Sequence, residues 1–288
     1  METENGLVRF SGTSNNLLQG EFFGTNGQVV VLLHGGGQTR HSWDNTARKL
    51  ASFGATAIIV DQRGHGQSEW STNGHYSFFD FAGDATAVFQ QVYEKYNVKP
   101  IAIGASLGGI SSLLAEGNSS ENLLSGLVLV DITPRIDPRG VAKITGFMKS
   151  NMKDGFATVE EAADVIAAYL PLRKRPKSLD GLKKNLRRHS DGRYRWHWDP
   201  GFISGPNSVQ SRGEEVQHML KQAALSLTIP TLLIRGGQSE LVSEEHAREF
   251  LDLVPHATLK DIHEAGHMVA GDRNDVFSDA VLDFITRH

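Results

Sequence analysis

Cysteine is absent from the 288 residues. That excludes disulfides, thiolate catalysis and cysteine-ligated zinc, and it fits a reducing cytoplasm. Long apolar runs are also lacking, since nothing approaches the roughly 18 residues of a membrane span. The N-terminal METENGLVRF has no basic start followed by an apolar stretch, so it does not read as a secretory signal. Positive charge is not in excess either. The formal net charge is −4, whereas a nucleic-acid binder shows a basic face. No glycine loop sits in a nucleotide-binding context, so no cofactor is expected. A small molecule remains as the partner, with no nucleic acid, no membrane and no assignable oligomeric state. Hydrophobic residues at 39% and charged residues at 22% suit a soluble domain, and the length suffices for one large α/β domain or a core with an insertion.

What is present is an alternation. The apolar runs Val29–Leu33, 55–60, 101–103, 127–130 and 231–234 read as strands buried on both faces of a parallel sheet. Helical patterns over 41–53, 81–96, 107–116, 244–253 and 274–286 lie between and after them. The expected fold is a doubly wound, mostly parallel α/β sheet. VRF and LLQGEFF add a leading antiparallel pair. The alternation breaks between about Thr133 and Leu225, an interval too long for a plain loop. It holds the helix signal TVEEAADVIAAYLP, with Thr158 as N-cap, Glu161 closing a capping box and Pro171 after the end. The expected division is core 1–132, helical lid 133–225 and core 226–288.

The sharpest chemical signal is IAIGASLGG, a strand running through Gly104-Ala105-Ser106-Leu107-Gly108 into a helix. This G-x-S-x-G turn strains the serine at its tip and aims the hydroxyl out of the sheet at a helix N-terminus. Ser106 is therefore the expected nucleophile. In LLHGGGQ, His34 to Gly37 follow a strand, and glycines let backbone N–H groups approach an oxyanion. The N–H groups of Leu107 and Gly36 are the expected donors, with Gly37 as the alternative. His34 reads as a structural, hydrogen-bonding histidine. Late in the chain, His267 follows Ala265-Gly266 just before the last helix, where a general base belongs. His263, at a strand end, reads as structural. HEAGH matches the literal zinc pattern H-E-x-x-H, but that pattern needs one helix turn and Gly266 points to a loop, so no metal is expected.

LLHGGG, DQRGHGQS, GASLGG, LLIRGGQSELVS and AGHMV together resemble the serine α/β-hydrolases, in the lid-bearing branch with epoxide-hydrolase-like and C–C-bond hydrolases. The resemblance covers roughly Gly27 to Asp131 and Ile229 to His288 and leaves out the lid. It implies an acid after the penultimate strand, typically in RGxxSD. Here that position reads RGGQSE, which puts Glu240 in the role. Some members take the acid from the strand end occupied here by Asp131, which stays as the alternative. DQRGHGQS supports the resemblance but yields no chemistry by itself. A serine nucleophile disfavours the epoxide and haloalkane chemistries, which use an aspartate.

The expected activity is hydrolysis of a small, apolar or aromatic carboxylic ester, lactone or thioester through an acyl-enzyme. C–C hydrolysis, cofactor-independent oxygenation and a non-turnover ligand receptor are the alternatives. Trp43, after the oxyanion loop, and Trp196 and Trp198, in the lid, are the expected pocket residues. With Tyr194 and Phe202, the lid aromatics either line an acyl pocket or pack the lid onto the core. The basic residues from Arg173 through Arg195 read as a solvated helical face, or as an attraction for an acidic substrate.

Overall fold

A computed structural model describes residues 1–4, 6–170, 178–211, 213–272 and 274–288. Three strands, β1 (Glu2–Glu4), β2 (Leu7–Ser11) and β3 (Leu17–Phe23), open the chain as an antiparallel ribbon. The alternation follows with β4 (Val29–Leu33), a 3₁₀ turn (Arg40–Trp43), α1 (Asp44–Ser52), β5 (Thr56–Val60), α2 (Phe78–Tyr96), β6 (Ile101–Ala105), α3 (Leu107–Gly117) and β7 (Gly126–Val130). An inserted segment then carries α4 (Pro138–Ser150), α5 (Val159–Tyr169), α6 (Asp180–Lys183), the hairpin of β8 (Leu186–Arg188) and β9 (Tyr194–Trp196), and α7 (Gly201–Ser204). The chain returns through α8 (Gly213–Leu225) to β10 (Thr231–Gly236), α9 (Glu244–Leu253), β11 (Thr258–Ile262), α10 (Val269–Asp272) and α11 (Asn274–Arg287).

The nine-stranded sheet runs in the order β1-β2-β3-β5-β4-β6-β7-β10-β11 and is parallel from β5 to β11. This is the α/β-hydrolase fold. Side chains alternate across each strand, so one run of apolar residues fills two cores. Val29, Val31 and Leu33 face a core completed by Val88, Phe89, Leu113, Leu114 and Phe250. Val30 and Leu32 face the other, completed by Leu50, Phe277, Val281 and Phe284.

Local signals account for the helix boundaries. α2 starts three residues earlier than its apolar pattern suggests, because Ser77 and Asp80 close a reciprocal capping box ahead of Phe81. The residues from His41 begin as a 3₁₀ turn, and α-helix starts only at Asp44. In α5, Thr158 Oγ1 accepts the Glu161 N–H at 3.1 Å. The Glu161 carboxylate, however, takes the N–H of Ala157 rather than that of Thr158, so the expected box does not close. Pro171, Arg173, Lys174, Arg175 and Lys177 lie outside the described residues. Helix α8, expected within the lid, instead packs on α3 in the sheet's flanking layer. Val216, Leu220, Ala223 and Ala224 join that core, and a Cβ on Gly117 would lie 2.5 Å from Ala223.

One buried ion pair ties the N-terminal ribbon to α2 and to the loop after β5. Arg63 donates through Nε and Nη2 to Asp84 at 2.7 and 2.6 Å, and Asp84 also accepts the Thr13 N–H at 2.9 Å. Removing one partner strands the other charge away from water. Asp84→Ala is therefore expected to cost about 3–5 kcal/mol of unfolding free energy, read from urea melts. A loss below about 1 kcal/mol would contradict this account.

Candidate active site

Of the residues singled out by the sequence, Gly36, Gly37, Ser106, Leu107, Asp131, Glu240 and His267 lie just after β4, β6, β7, β10 and β11. Ser106 follows β6 directly and has φ 45° and ψ −110°, a left-handed strain typical of functional turns. Gly104 and Gly108 make that turn possible, since a Cβ on either would meet backbone atoms at 2.4 and 2.2 Å. The Ser106 N–H donates to Val130 O at 3.1 Å. That bond sets the serine beside the end of β7, where Asp131 is the next residue.

Asp131 is fully buried and also has a positive φ, 51°. Its Oδ1 accepts the Gly236 N–H at 3.0 Å. Its Oδ2 accepts the Ser239 hydroxyl at 2.5 Å and faces His267 Nδ1 at 2.7 Å. A carboxylate only accepts, so Nδ1 carries a proton, and in the neutral form of the ring the lone pair then falls on Nε2. That is the tautomer a general base requires. The loop bearing His267 comes close because position 236 is glycine. A Cβ there would lie 2.2 Å from Gly266 O, and the Gln238 N–H holds Ala265 O at 2.9 Å. The HEAGH stretch is this loop, not a helix turn, as Ala265 N–H bonding Ile262 O also reflects.

Glu240, the acid expected from RGGQSE, is not beside His267. Its carboxylate meets Lys143 on α4 and accepts the Tyr169 hydroxyl of α5 at 3.1 Å. The reason lies in the turn. Ser239 takes the inward position, and its Oγ also accepts the Leu241 and Val242 N–H groups at 3.0 and 3.1 Å. Glu240, one residue on, points toward the inserted segment. The turn after β10 thus supplies a hydroxyl that holds Asp131, and the carboxylate beside His267 directly follows β7.

On the opposite side lies the loop after β4. His34 is buried, accepts the Gln62 N–H on Nε2 at 3.0 Å, and donates from Nδ1 to Gly35 O at 2.8 Å. In a trans peptide the C=O and the following N–H point opposite ways. Fixing Gly35 O therefore fixes the direction of the Gly36 N–H. The Gly37 N–H, the alternative donor, is already committed to His65 Nε2 at 3.0 Å. Among the described residues, the Gly36 and Leu107 N–H groups donate to no protein acceptor, as expected at a helix start for the latter. A Cβ on Gly35 would lie 3.6 Å from Ser106 Cβ, so this loop flanks Ser106.

The aromatic expectations divide. Trp43 is buried on the α1 side of the sheet, 5.7 Å between centroids from Phe277, and belongs to that core rather than to the site. Trp196 packs edge-on to Phe156 at 5.0 Å, within the inserted segment. Trp198 does reach the oxyanion loop: its Nε1 would lie 3.5 Å from a Cβ on Gly37. Phe202 covers Gly36, and Met148 covers Gly37, at 2.9 and 2.8 Å from the same hypothetical atoms. Sequence reasoning missed Ser239, Gln62, His65 and Met148. The signal for Gln62 and His65 was DQRGHGQS, visible as a motif but mute about its partners.

The whole of this geometry is that of a serine hydrolase on the α/β-hydrolase fold. The chain belongs to the family described as serine aminopeptidase, S33, whose model matches residues 24–274; it is an enzyme, a hydrolase. It is 27% identical over 252 residues to an esterase, Rv0045c, of Mycobacterium tuberculosis, covering 85% of this chain and 78% of that protein. It is 26% identical to the 2-(acetamidomethylene)succinate hydrolase of Mesorhizobium japonicum, over 80% of this chain and 78% of the relative. An α/β hydrolase from Novosphingobium aromaticivorans superposes with a TM-score of 0.82 at 21% identity, over 100% of each chain. No helix among the described residues is long and apolar enough to cross a membrane.

Burial keeps three histidines around this site uncharged. Desolvation lowers His34 and His197, and lowers His65 from 6.5 to about 3 with help from neighbouring His34. The unfolded chain therefore binds protons that the folded one does not. Their effect on stability is absent well above pH 6.5, and stability falls as pH drops through 6.5 toward about 3. Melting temperature is expected to decline between about pH 7.5 and about pH 5, with a shallower slope in His65→Gln. A melting temperature that rises over that acid interval would refute the assignment.

Proposed function

We propose that this hydrolase is a serine esterase acting on a small-molecule carboxylic ester, lactone or thioester through an acyl-enzyme. Ser106 is the nucleophile, His267 the general base and Asp131 the acid. The observation that carries this reading is the 2.7 Å bond from His267 Nδ1 to buried Asp131, at the sheet end where Ser106 emerges. Similarity to an esterase supports the ester class.

In the reaction, His267 Nε2 removes the Ser106 proton as Oγ attacks the carbonyl carbon. The Gly36 and Leu107 N–H groups hold the oxyanion of the tetrahedral intermediate. Asp131 stabilises the imidazolium, which then protonates the departing alcohol or thiol. Water, deprotonated by the same imidazole, attacks the acyl-enzyme and releases the acid. The segment from α4 to α7 acts as the lid, and Phe202, Met148 and Trp198 favour an apolar or aromatic acyl group. The cysteine-free composition fits action in the cytoplasm.

Intact-mass labelling with a fluorophosphonate, alongside hydrolysis of 4-nitrophenyl butyrate, tests the assignment. Wild type is expected to take one adduct, and Ser106→Ala none. Asp131→Asn is expected to slow labelling by about three to four orders of magnitude. Glu240→Gln is expected to leave it nearly unchanged. Folded wild type that takes no adduct would sink the esterase reading. Slowing in Glu240→Gln equal to that in Asp131→Asn would sink the choice of acid.

A further inference from the structure

The GHG of DQRGHGQS places a buried imidazole directly behind the oxyanion loop. His65 has both ring nitrogens in use. Nε2 accepts the Gly37 N–H at 3.0 Å, and Nδ1 donates to Arg63 O at 2.9 Å. The ring is wedged between others, 5.1 Å from His34 and 4.7 Å edge-on from Phe202 between centroids. Its donor nitrogen is anchored in turn, because the Arg63 side chain, on the residue whose carbonyl it meets, is locked to Asp84. Two peptides flank the α-carbon of Gly36. His34 holds the first by its carbonyl, Gly35 O; His65 holds the second by its N–H. With both planes set, rotation about the Gly36 backbone bonds is blocked, and the free N–H keeps one direction.

We propose that His65 is a positioning residue of the oxyanion hole: by accepting the Gly37 N–H it withdraws that donor and fixes the Gly36 N–H on the reacting carbonyl. The inference rests on the esterase reading above. Preorganised donors stabilise charge as it develops and contribute little to ground-state binding. Loss of His65 therefore acts on kcat rather than on KM. The role requires an unprotonated Nε2, and burial, together with nearby His34, holds the ring neutral down to about 3.

Two variants separate positioning from mere filling of space. The Oε1 of His65→Gln reaches about as far as Nε2 and can accept the Gly37 N–H, whereas the side chain of His65→Asn is one methylene shorter. For 4-nitrophenyl butyrate, His65→Asn is expected to lose about 10- to 100-fold in kcat at nearly constant KM. It is expected to lose a similar factor in affinity for a trifluoromethyl ketone, whose adduct on Ser106 carries the oxyanion. His65→Gln is expected to recover most of both. Unchanged kcat and ketone affinity in folded His65→Asn would overturn the proposal. So would a Gln variant no better than Asn. Imidazole ¹⁵N shifts in the wild-type protein provide a test without substitution: His65 is expected as the Nδ1–H tautomer, and an Nε2–H signal would overturn the proposal even if the variants do not fold. Wild type without fluorophosphonate reactivity would instead count against the esterase reading, leaving the tautomer result to stand or fall alone.

Discussion

The carboxylate of Asp131 is a negative charge with no access to water, and the catalytic end of the sheet is organised around keeping it solvated by protein. An uncompensated buried charge is too costly to survive folding. Three donors answer it: the Gly236 N–H at the end of β10, the Ser239 hydroxyl from the turn that follows, and the imidazole of His267 from the loop after β11. Satisfying one carboxylate thus fixes the ends of three adjacent strands relative to one another. It also fixes the tautomer of His267, because an acceptor on one side of the ring leaves the lone pair on the other.

A second polar network supports the opposite wall, and it has the same logic with the sign of the groups reversed. Here the groups that need holding are backbone N–H donors. Gln62 feeds His34 through its N–H and grips His34 O through its side chain at 2.6 Å. Asp61, also buried, receives Arg40 and the Gln67 N–H. The DQRGHGQS loop is therefore a scaffold under the loop after β4. Its residues are polar because they replace water for a buried stretch of backbone.

The inserted segment is attached to the core at both flanks. On one side the Tyr76 hydroxyl donates to Asp199 at 2.6 Å and Arg187 donates to Gly66 O at 2.6 Å. On the other, Glu240 joins Lys143 and Tyr169. Burial and the Glu240 charge push the Tyr169 hydroxyl well above its ordinary value, so it stays a donor to that carboxylate. Glu240 thus sits where the sequence pattern places a catalytic acid, yet it links the turn that holds Asp131 to the inserted segment.

The sequence by itself determined the parallel sheet, since apolar runs such as VVVLL and GLVLV admit burial on both faces and little else. It also determined the elbow at Ser106, because strand, glycine turn and helix start are local chemistry readable in order along the chain. His267 was legible from its place between the last strand and the last helix. Only the tertiary structure decided which carboxylate meets it. Asp131 and Glu240 both end up near strand ends, and a shift of one residue, from Ser239 to Glu240, turns a side chain from the Asp131 carboxylate to the insertion. The same holds for Trp43, which follows the β4 loop in sequence but lies in the α1-side core, and for α8, expected within the lid but packed on α3. Direction within a turn and the choice of sheet face depend on contacts between residues more than a hundred positions apart, and periodicity along the chain carries no record of them.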